Sequence, residues 1–503
     1  MESPRAAVLL VLTAVAAAAP TAQTDQPNIV FILADDLGFN DISWHNPDIL
    51  TPNLAKLAGE GVLLEQSYVM PLCTPSRTAL LTGRYPYRMG TQRGAILPRQ
   101  PIGLSVNFTL LLPELLRSVG YSTHIVGKWH LGFCAPEFLP QNRGFDTFYG
   151  LWNGQEDHFT HDLNNSLDLR LNMEPDWNQS GIYSTELFAS RAERIITEHD
   201  KSKPLFLYLP FTATHQPVQA PEELEELYPN IPNDLRRTFS GMVTALDIAV
   251  ARVVESLKAS GLYENSVIAF VSDNGGMLTA AGNSWPLRGA KGTLWEGGTR
   301  TPAFVLSPLL QKTGYVSNEM IHMTDWAPTF LRLAGVDTSD LGLDGVDQWE
   351  TLSTGSPSAR DEFVYNMDTF PVGFSAALRQ GDMKLVWGWP GQNSDWYPVP
   401  DSNNVTLPDL FDPEYVQDVR ELDMSDHLTD QHGEPTLPAH LFNITADPEE
   451  RQDLAEQLPD VLQRMQDRVR ELLVDVVPGY YPPQVDDGYP SDGLWQTGWC
   501  EAY

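Results

Sequence analysis

Four short apolar runs, each broken off by polar residues, constrain this chain more than any other feature. PNIVFILADDLG runs apolar from Ile29 to Ala34 and stops at Asp35 and Asp36, and SVIAFVSDNGG runs from Val267 to Val271 and stops at Asp273 and Asn274. PLFLYLPFTATHQP carries a run from Leu205 that is followed by His215, and YSTHIVGKWHLG delivers Lys128 and His130 just after Ile125 and Val126. Near-continuous apolar runs rich in Val, Ile and Phe are what strands buried on both faces look like. Helical patterns lie between them: TPNLAKLAGEG from Thr51, TLLLPELLRSVG over 109–120, STELFASRAERIITEH from Ser184, and a long amphipathic stretch ending at Gly261. This alternation predicts an α/β fold with a large, mostly parallel sheet sandwiched by helices. In such sheets the ligand site lies beyond the carboxyl ends of the strands. All four polar sets fall at that end, so topology alone predicts one site that gathers them.

The last quarter changes character. FVYNMD, SAALRQGDMKLVWGW and AHLFNITADP read as short strands, the middle pair turning at Gln380, Gly381 and Asp382. A helix is predicted from Leu454, Leu458, Val461, Leu462, Met465, Val469 and Leu472, spaced i, i+3, i+4. A Pro, Gly and Tyr-rich tail follows. The boundary falls near residue 360, in STGSPSARDE, giving a larger domain over 23–360, which carries the gathered polar sets, and a smaller α+β domain over 361–503.

Residues 1–22 read as a secretory signal: Arg5, then AAVLLVLTAVAAAA, too short to span a membrane, then small and polar residues. The expected address is the secretory pathway, secreted or lysosomal, with no membrane insertion. Five sequons fit it, at Asn107, Asn164, Asn178, Asn404 and Asn443. The formal net charge is −34, a field that opposes association with nucleic acid.

Asp35, Asp36, Asp273 and Asn274 are four oxygen donors with no cysteine pair or paired histidines beside them, a set that suits Ca2+ or Mg2+ rather than zinc or copper. The competing reading is two unrelated turns, since Asp or Asn before Gly is common there. The chain has three cysteines, which cannot all pair in an oxidising compartment. A disulfide, if present, is expected between Cys134 and Cys500, which leaves Cys73. That residue opens CTPSRTALLTG, with Pro75 well placed in the first turn of a helix whose free N–H groups face an anion. A thiol there is expected to have a lowered pKa and be nucleophilic; the alternative is a buried structural cysteine. A thiolate beside a hard, oxygen-ligated cation makes poor chemical sense, so the site asks for something other than a thiol.

CTPSRTALLTG resembles the signature of the type I sulfatases, in which Cys-x-Pro-x-Arg directs oxidation of the cysteine to formylglycine; Cys73, Pro75 and Arg77 fill its three positions. PNIVFILADDLGFND, GKWHLG, RGFDTFYG, SDNGG, WPLRGAKGTLWEGGTRTPAFV and LFNITADPEERQDL are also similar to sulfatase segments, in the family's order, so the likeness runs from Pro27 to about Leu473. WPLRGAKGTLWEGG and GLWNGQEDHFTH resemble the arylsulfatase B-like branch, which removes 4-sulfate from N-acetylgalactosamine. The resemblance implies an alkaline phosphatase/sulfatase-like fold and hydrolysis of aryl or sugar sulfate esters through a formylglycine gem-diol and a sulfated covalent intermediate. It implies calcium held by Asp35, Asp36, Asp273, Asn274 and the modified Cys73. Arg77 and Lys128 would steady the diol and sulfate, and His130 would take the second hydroxyl's proton. His215 and Lys291 would stand by the bridging oxygen, and the formylglycine-generating enzyme becomes a biosynthetic partner. His215 alone in TATHQP reads equally as a capping or core histidine. Two other readings stay open: a phosphomonoester or phosphonate hydrolase of the same superfamily, and an inactive relative that binds sulfated glycans.

Overall fold

The computed structural model describes residues 25–107, 110–370, 373–400 and 437–503; the signal segment and the Asn404 sequon lie outside them. A ten-stranded sheet forms the centre. Its strands are β1 (Asn28–Ala34), β2 (Val62–Leu64), β3 (Ser122–Lys128), β4 (Thr147–Leu151), β5 (Arg170–Leu171), β6 (Glu174–Pro175), β7 (Leu205–Pro210), β8 (Ser266–Ser272), β9 (Ala303–Leu306) and β10 (Tyr315–Ser317). Their order is β10-β2-β9-β8-β1-β7-β3-β4-β5-β6. The five central strands, β8 to β4, are parallel as the apolar runs require. The sheet as a whole is mixed: β9 pairs antiparallel with β8 and β2, and β5 pairs antiparallel with β4 and β6.

The unbroken apolar run of β1 is explained by two covers. Ile29, Phe31 and Leu33 enter one core with helices α2 (Cys73–Thr82), α3 (Leu112–Ser118) and α6 (Trp326–Leu333). Val30, Ile32 and Ala34 enter the other with α1 (Pro52–Glu60), α4 (Ser184–Glu198) and α5 (Asp234–Ala259). With alternate side chains pointing to opposite faces, every position must be apolar. No described helix is long and apolar enough to cross a membrane.

A second, four-stranded antiparallel sheet follows: β11 (Glu362–Phe370), β12 (Gly373–Gln380), β13 (Met383–Gly388) and β14 (Ala439–Asn443), in that order. Helix α7 (Pro459–Leu472) buries Met465 and Val469 in the core of this unit. The helix begins five residues later than the apolar spacing predicts, because Pro459 takes its first turn; Leu454 instead donates its N–H to Leu441 O at 2.7 Å. The two sheets are locked by a buried polar knot. Lys384 Nζ lies 3.0 Å from Glu296 Oε1 and 2.8 Å from Glu450 Oε1, and Tyr68 and Tyr365 donate to Glu296 at 2.9 and 2.7 Å. Burial, with Glu296 competing for the same ammonium, pushes the Glu450 carboxyl up to about 7.

Beyond Val476 the chain leaves the small sheet and runs back over the large one. Trp495 joins the large core, and Cys134 and Cys500 form the expected disulfide, with Cα atoms 5.3 Å apart and a sequence separation of 366. Closing so long a loop restricts the unfolded chain by about 2–4 kcal/mol. The Cys134→Ser/Cys500→Ser double variant is expected to melt several degrees lower; an unchanged melting temperature, or two free thiols in non-reducing peptide mapping of the native protein, contradicts this.

Candidate active site

The carboxyl ends of β1, β3, β7 and β8 converge as topology predicts. Asp35 and Asp36 follow β1, Lys128 ends β3 with His130 two residues on, His215 follows β7, and Asp273 and Asn274 follow β8. Asp36 and His130 hold their backbones at φ 63° and 57°, a left-handed conformation that costs a non-glycine residue about 1–2 kcal/mol. Such strain concentrates where a side chain must be aimed.

Helix α2 brings the remaining groups. Cys73 is its first residue, after Leu72, which makes no side-chain cap, and the helix is buried along its whole length. Ser76 Oγ accepts from Met70 N at 3.0 Å and donates to Asp273 O, and Thr74 Oγ1 donates to His130 O at 3.0 Å. The helix start is thereby pinned to two strand ends. The side chain of Arg77, fully buried, contacts Asp273 Oδ2 at 2.8 Å through Nη2 and donates from Nη1 to Lys128 O at 2.9 Å.

Six charges are buried together: Asp35, Asp36 and Asp273 with Arg77, Lys128 and Lys291. Lys128 Nζ is 2.6 Å from Asp35 Oδ2, and Lys291 Nζ is 2.5 Å from Asp36 Oδ1, which also accepts from Asn274 Nδ2 at 2.8 Å. Burial, reinforced by Asp273, pushes Asp35 up to about 7. Burial also works against Asp36, but Lys291, His215 and Lys128 outweigh it and hold that carboxyl well below its usual range. Burial and neighbouring cations push His130 and His215 far below the ordinary histidine value, despite Asp36 near His215.

Cys73 departs from the sequence expectation. Its thiol is pushed up to about 12 by burial, against the pull of Lys128 and Lys291. Desolvation outweighs the helix N-terminus, so this is no activated thiolate.

A hard cation fits the donors. Ligand atoms of Asp35, Asp36, Cys73 and His215 all lie within 4.8 Å of one another. Asp36 Oδ2 and Asn274 Oδ1 are buried and find no hydrogen-bond partner among the described residues, whereas buried oxygens are otherwise almost always satisfied. Asp273 is more committed than its place in the sequence implies: Oδ2 faces Arg77 and Oδ1 accepts from Asp36 N at 3.2 Å. The six charges cancel, so a dication would leave positive charge that an anionic substrate neutralises.

The cluster floors a cavity of about 530 Å3, which Cys73, His130, His215 and Lys291 all line. Sequence reasoning missed much of its wall: Arg99, Gln155, and Gln484, Tyr489 and Trp495 of the tail. The available signal was the Cys134–Cys500 pairing, which returns the tail to the large sheet. It also missed His158, whose Nε2 lies 2.9 Å from the His215 carbonyl and can serve there only as donor. Of the sequons, Asn107, Asn164 and Asn178 are exposed, and Asn443 is half-buried with Oδ1 accepting from Ala446 N at 3.0 Å.

Parallel central strands with a buried, charge-balanced cluster at their carboxyl ends, beside a residue at a helix start, make a pocket suited to anionic esters. Residues 27–336 match the Sulfatase family model. Arylsulfatase J of Mus musculus is 42% identical over 502 residues, covering 95% of this chain and 81% of its own length. N-acetylgalactosamine-6-sulfatase of Mus musculus is 32% identical over 535 residues, covering 98% and 94%. The crystal structure of Ps i-CgsB in complex with k-i-k-neocarrahexaose superposes with a TM-score of 0.75 at 29% identity, covering 91% of this chain and 94% of that one. The chain belongs to the sulfatase family, in its type I class, and is a sulfuric ester hydrolase.

Proposed function

We propose that the protein hydrolyses aryl sulfates and sugar sulfates of the N-acetylgalactosamine type, with residue 73 oxidised in the secretory pathway from thiol to aldehyde by the formylglycine-generating enzyme. The observation that carries this reading is the placement of Cys73 beside Asp36 within a charge-balanced cluster, where Asp36 Oδ2 and Oδ1 of Asn274, whose amide donates to the same carboxylate, are buried without a partner among the described residues. A hydrated aldehyde offers hydroxyls that suit both a hard cation and attack on sulfur; a neutral thiol offers neither. Asp35, Asp36, Asp273, Asn274 and the modified residue 73 would hold calcium, or magnesium in its place. That ion would supply positive charge to the carboxylates and to the sulfate oxygens.

The chain's own groups supply the rest. Arg77 and Lys128 orient residue 73 through their contacts with Asp273 and Asp35. Lys291 stabilises charge on the sulfate, and helix α2 presents its N-terminus to the same anion. One hydroxyl of the hydrated residue 73 attacks sulfur, its proton passing to the Asp273 carboxylate as the new oxygen–sulfur bond forms and the bond to the substrate's alcohol oxygen breaks. His215, drawn towards its protonated form by the arriving negative charge, gives a proton to that departing oxygen. In the second half-reaction His130 takes the remaining hydroxyl proton of residue 73, sulfate leaves and the carbonyl returns. N-glycans on the exposed sequons complete the secreted form.

The two histidines are separable by leaving group. General acid catalysis is worth about 10²–10⁴-fold, most of it with a poorly departing alkoxide. His215→Ala is therefore expected to slow a sugar sulfate far more than nitrophenyl sulfate. His130→Ala impairs a half-reaction common to all substrates, so both should fall towards one steady-state rate. Equal losses on both substrates for His215→Ala reverse the assignment. The reaction class itself is tested by assaying nitrophenyl sulfate and nitrophenyl phosphate with and without co-expressed formylglycine-generating enzyme. Sulfate turnover that rises with that enzyme supports the reading; preferential phosphate turnover, or none of either, overturns it.

A further inference from the structure

The cavity extends past the charge cluster into a wall built by two chain segments stitched together. Tyr481 OH donates to Gly94 O at 2.8 Å, Gln100 Nε2 to Pro482 O at 3.0 Å, and Val485 N to Arg99 O at 2.9 Å. Trp495 Nε1 donates to Leu163 O at 3.0 Å, and the Cys134–Cys500 disulfide anchors the end of the tail. Arg99 therefore sits on a fixed backbone at the cavity. Its guanidinium carbon lies 3.9 Å from the centre of the Tyr489 ring, and Tyr489 is 59% exposed.

Besides Lys291, Arg99 is the one permanently cationic side chain among the described residues that line the cavity. No described residue accepts a hydrogen bond from its guanidinium; Asp486 is 3.8 Å away and its carboxylate is 97% exposed, an arrangement that holds an arginine weakly. Stacking on a ring occupies the guanidinium face and leaves its edge, with the donor fork, free to meet a carboxylate or sulfate. In a chain of net charge −34, a cation with uncommitted donors at an otherwise largely apolar wall answers to an anion that the ligand brings. The sulfate to be cleaved belongs at the cluster below, so Arg99 meets a second anion. The volume of about 530 Å3 lies within the range of about 300–1,000 Å3 typical of clefts that enclose drug-sized ligands.

We propose that Arg99, held flat by Tyr489, forms a specificity subsite for a second anionic group, a carboxylate or a sulfate, on the sugar next to the one being desulfated. The subsite rests on the sulfatase reading above. Its test is the inhibition of nitrophenyl sulfate hydrolysis by three forms of one sulfated disaccharide, whose second sugar carries a carboxylate, a sulfate ester, or the alcohol left by reducing the carboxylate. Wild-type protein is expected to bind an anionic form about tenfold more tightly than the alcohol, and the form preferred identifies which anion is read. Arg99→Ala and Arg99→Gln should each bring that ratio to about one, Asp486→Asn should raise it by removing the competing carboxylate, and added salt should compress it. A wild-type ratio of one, or a ratio unchanged in both Arg99 variants or lowered by Asp486→Asn, overturns the subsite. Absence of nitrophenyl sulfate hydrolysis in the wild type overturns instead the sulfatase reading, and the subsite falls with it.

Discussion

Cys73→Ala abolishes turnover, by about 10⁴-fold or more, the scale on which removing a covalent nucleophile is felt. The residue is buried at the start of a fully buried helix, and alanine fills less of the same space, so the fold survives and the loss is chemical. Cys73→Ser separates the account from a simpler one. Serine supplies an oxygen nucleophile but only one hydroxyl, so it lacks the second oxygen needed to regenerate the enzyme. At most one turnover per molecule is expected, seen as a burst of nitrophenolate equal to the enzyme present. Multiple turnovers by Cys73→Ser would show that two oxygens on one carbon are not required.

The second large effect belongs to the carboxylates. Asp35, Asp36 and Asp273 share a space with no water-facing surface, and two of the site's oxygens lack partners among the described residues. Asp36→Ala removes one of those oxygens and leaves Lys291 without its 2.5 Å partner. A loss of about 10²–10³-fold in kcat is expected, the size of a lost electrostatic stabiliser, with Asp273→Ala comparable because Arg77 also loses its anchor. A strong chelator should silence the wild type, and calcium or magnesium should restore it. Calcium should also raise the melting temperature, as a ligand at about 100 times its Kd stabilises by about 2.7 kcal/mol. Stoichiometric zinc in the purified protein, or activity indifferent to chelation, contradicts the ligand set.

What the sequence disclosed followed from periodicity and its interruptions. The runs ending at Asp35, Lys128 and Ser272 are legible because burial on both faces demands unbroken apolar residues, and a polar residue can follow only where the sheet ends. The site was legible for the same reason. The flanking strands were not: Val62–Leu64 and Tyr315–Ser317 span three residues each, too short to express a period. The start of α7 was misjudged because Leu454 and Leu458 fit the helical spacing while contributing from the preceding turn. The Cys73 environment was misread because helix position is visible in a sequence and desolvation is not. Arg99, Tyr489 and Trp495 escaped because their meeting depends on a tail without periodicity, returned to the large sheet by one disulfide.

The central claim is that residue 73 does not work as a cysteine, and peptide mass spectrometry tests it most directly. Protein from a eukaryotic secretory host, shown to turn over nitrophenyl sulfate, should yield the 73–83 segment with CHO in place of CH2SH at residue 73. That peptide should be trapped by a carbonyl reagent, resist thiol alkylation, and scale in abundance with specific activity across preparations. A fully active preparation in which every copy of that peptide carries an alkylatable thiol would contradict the account.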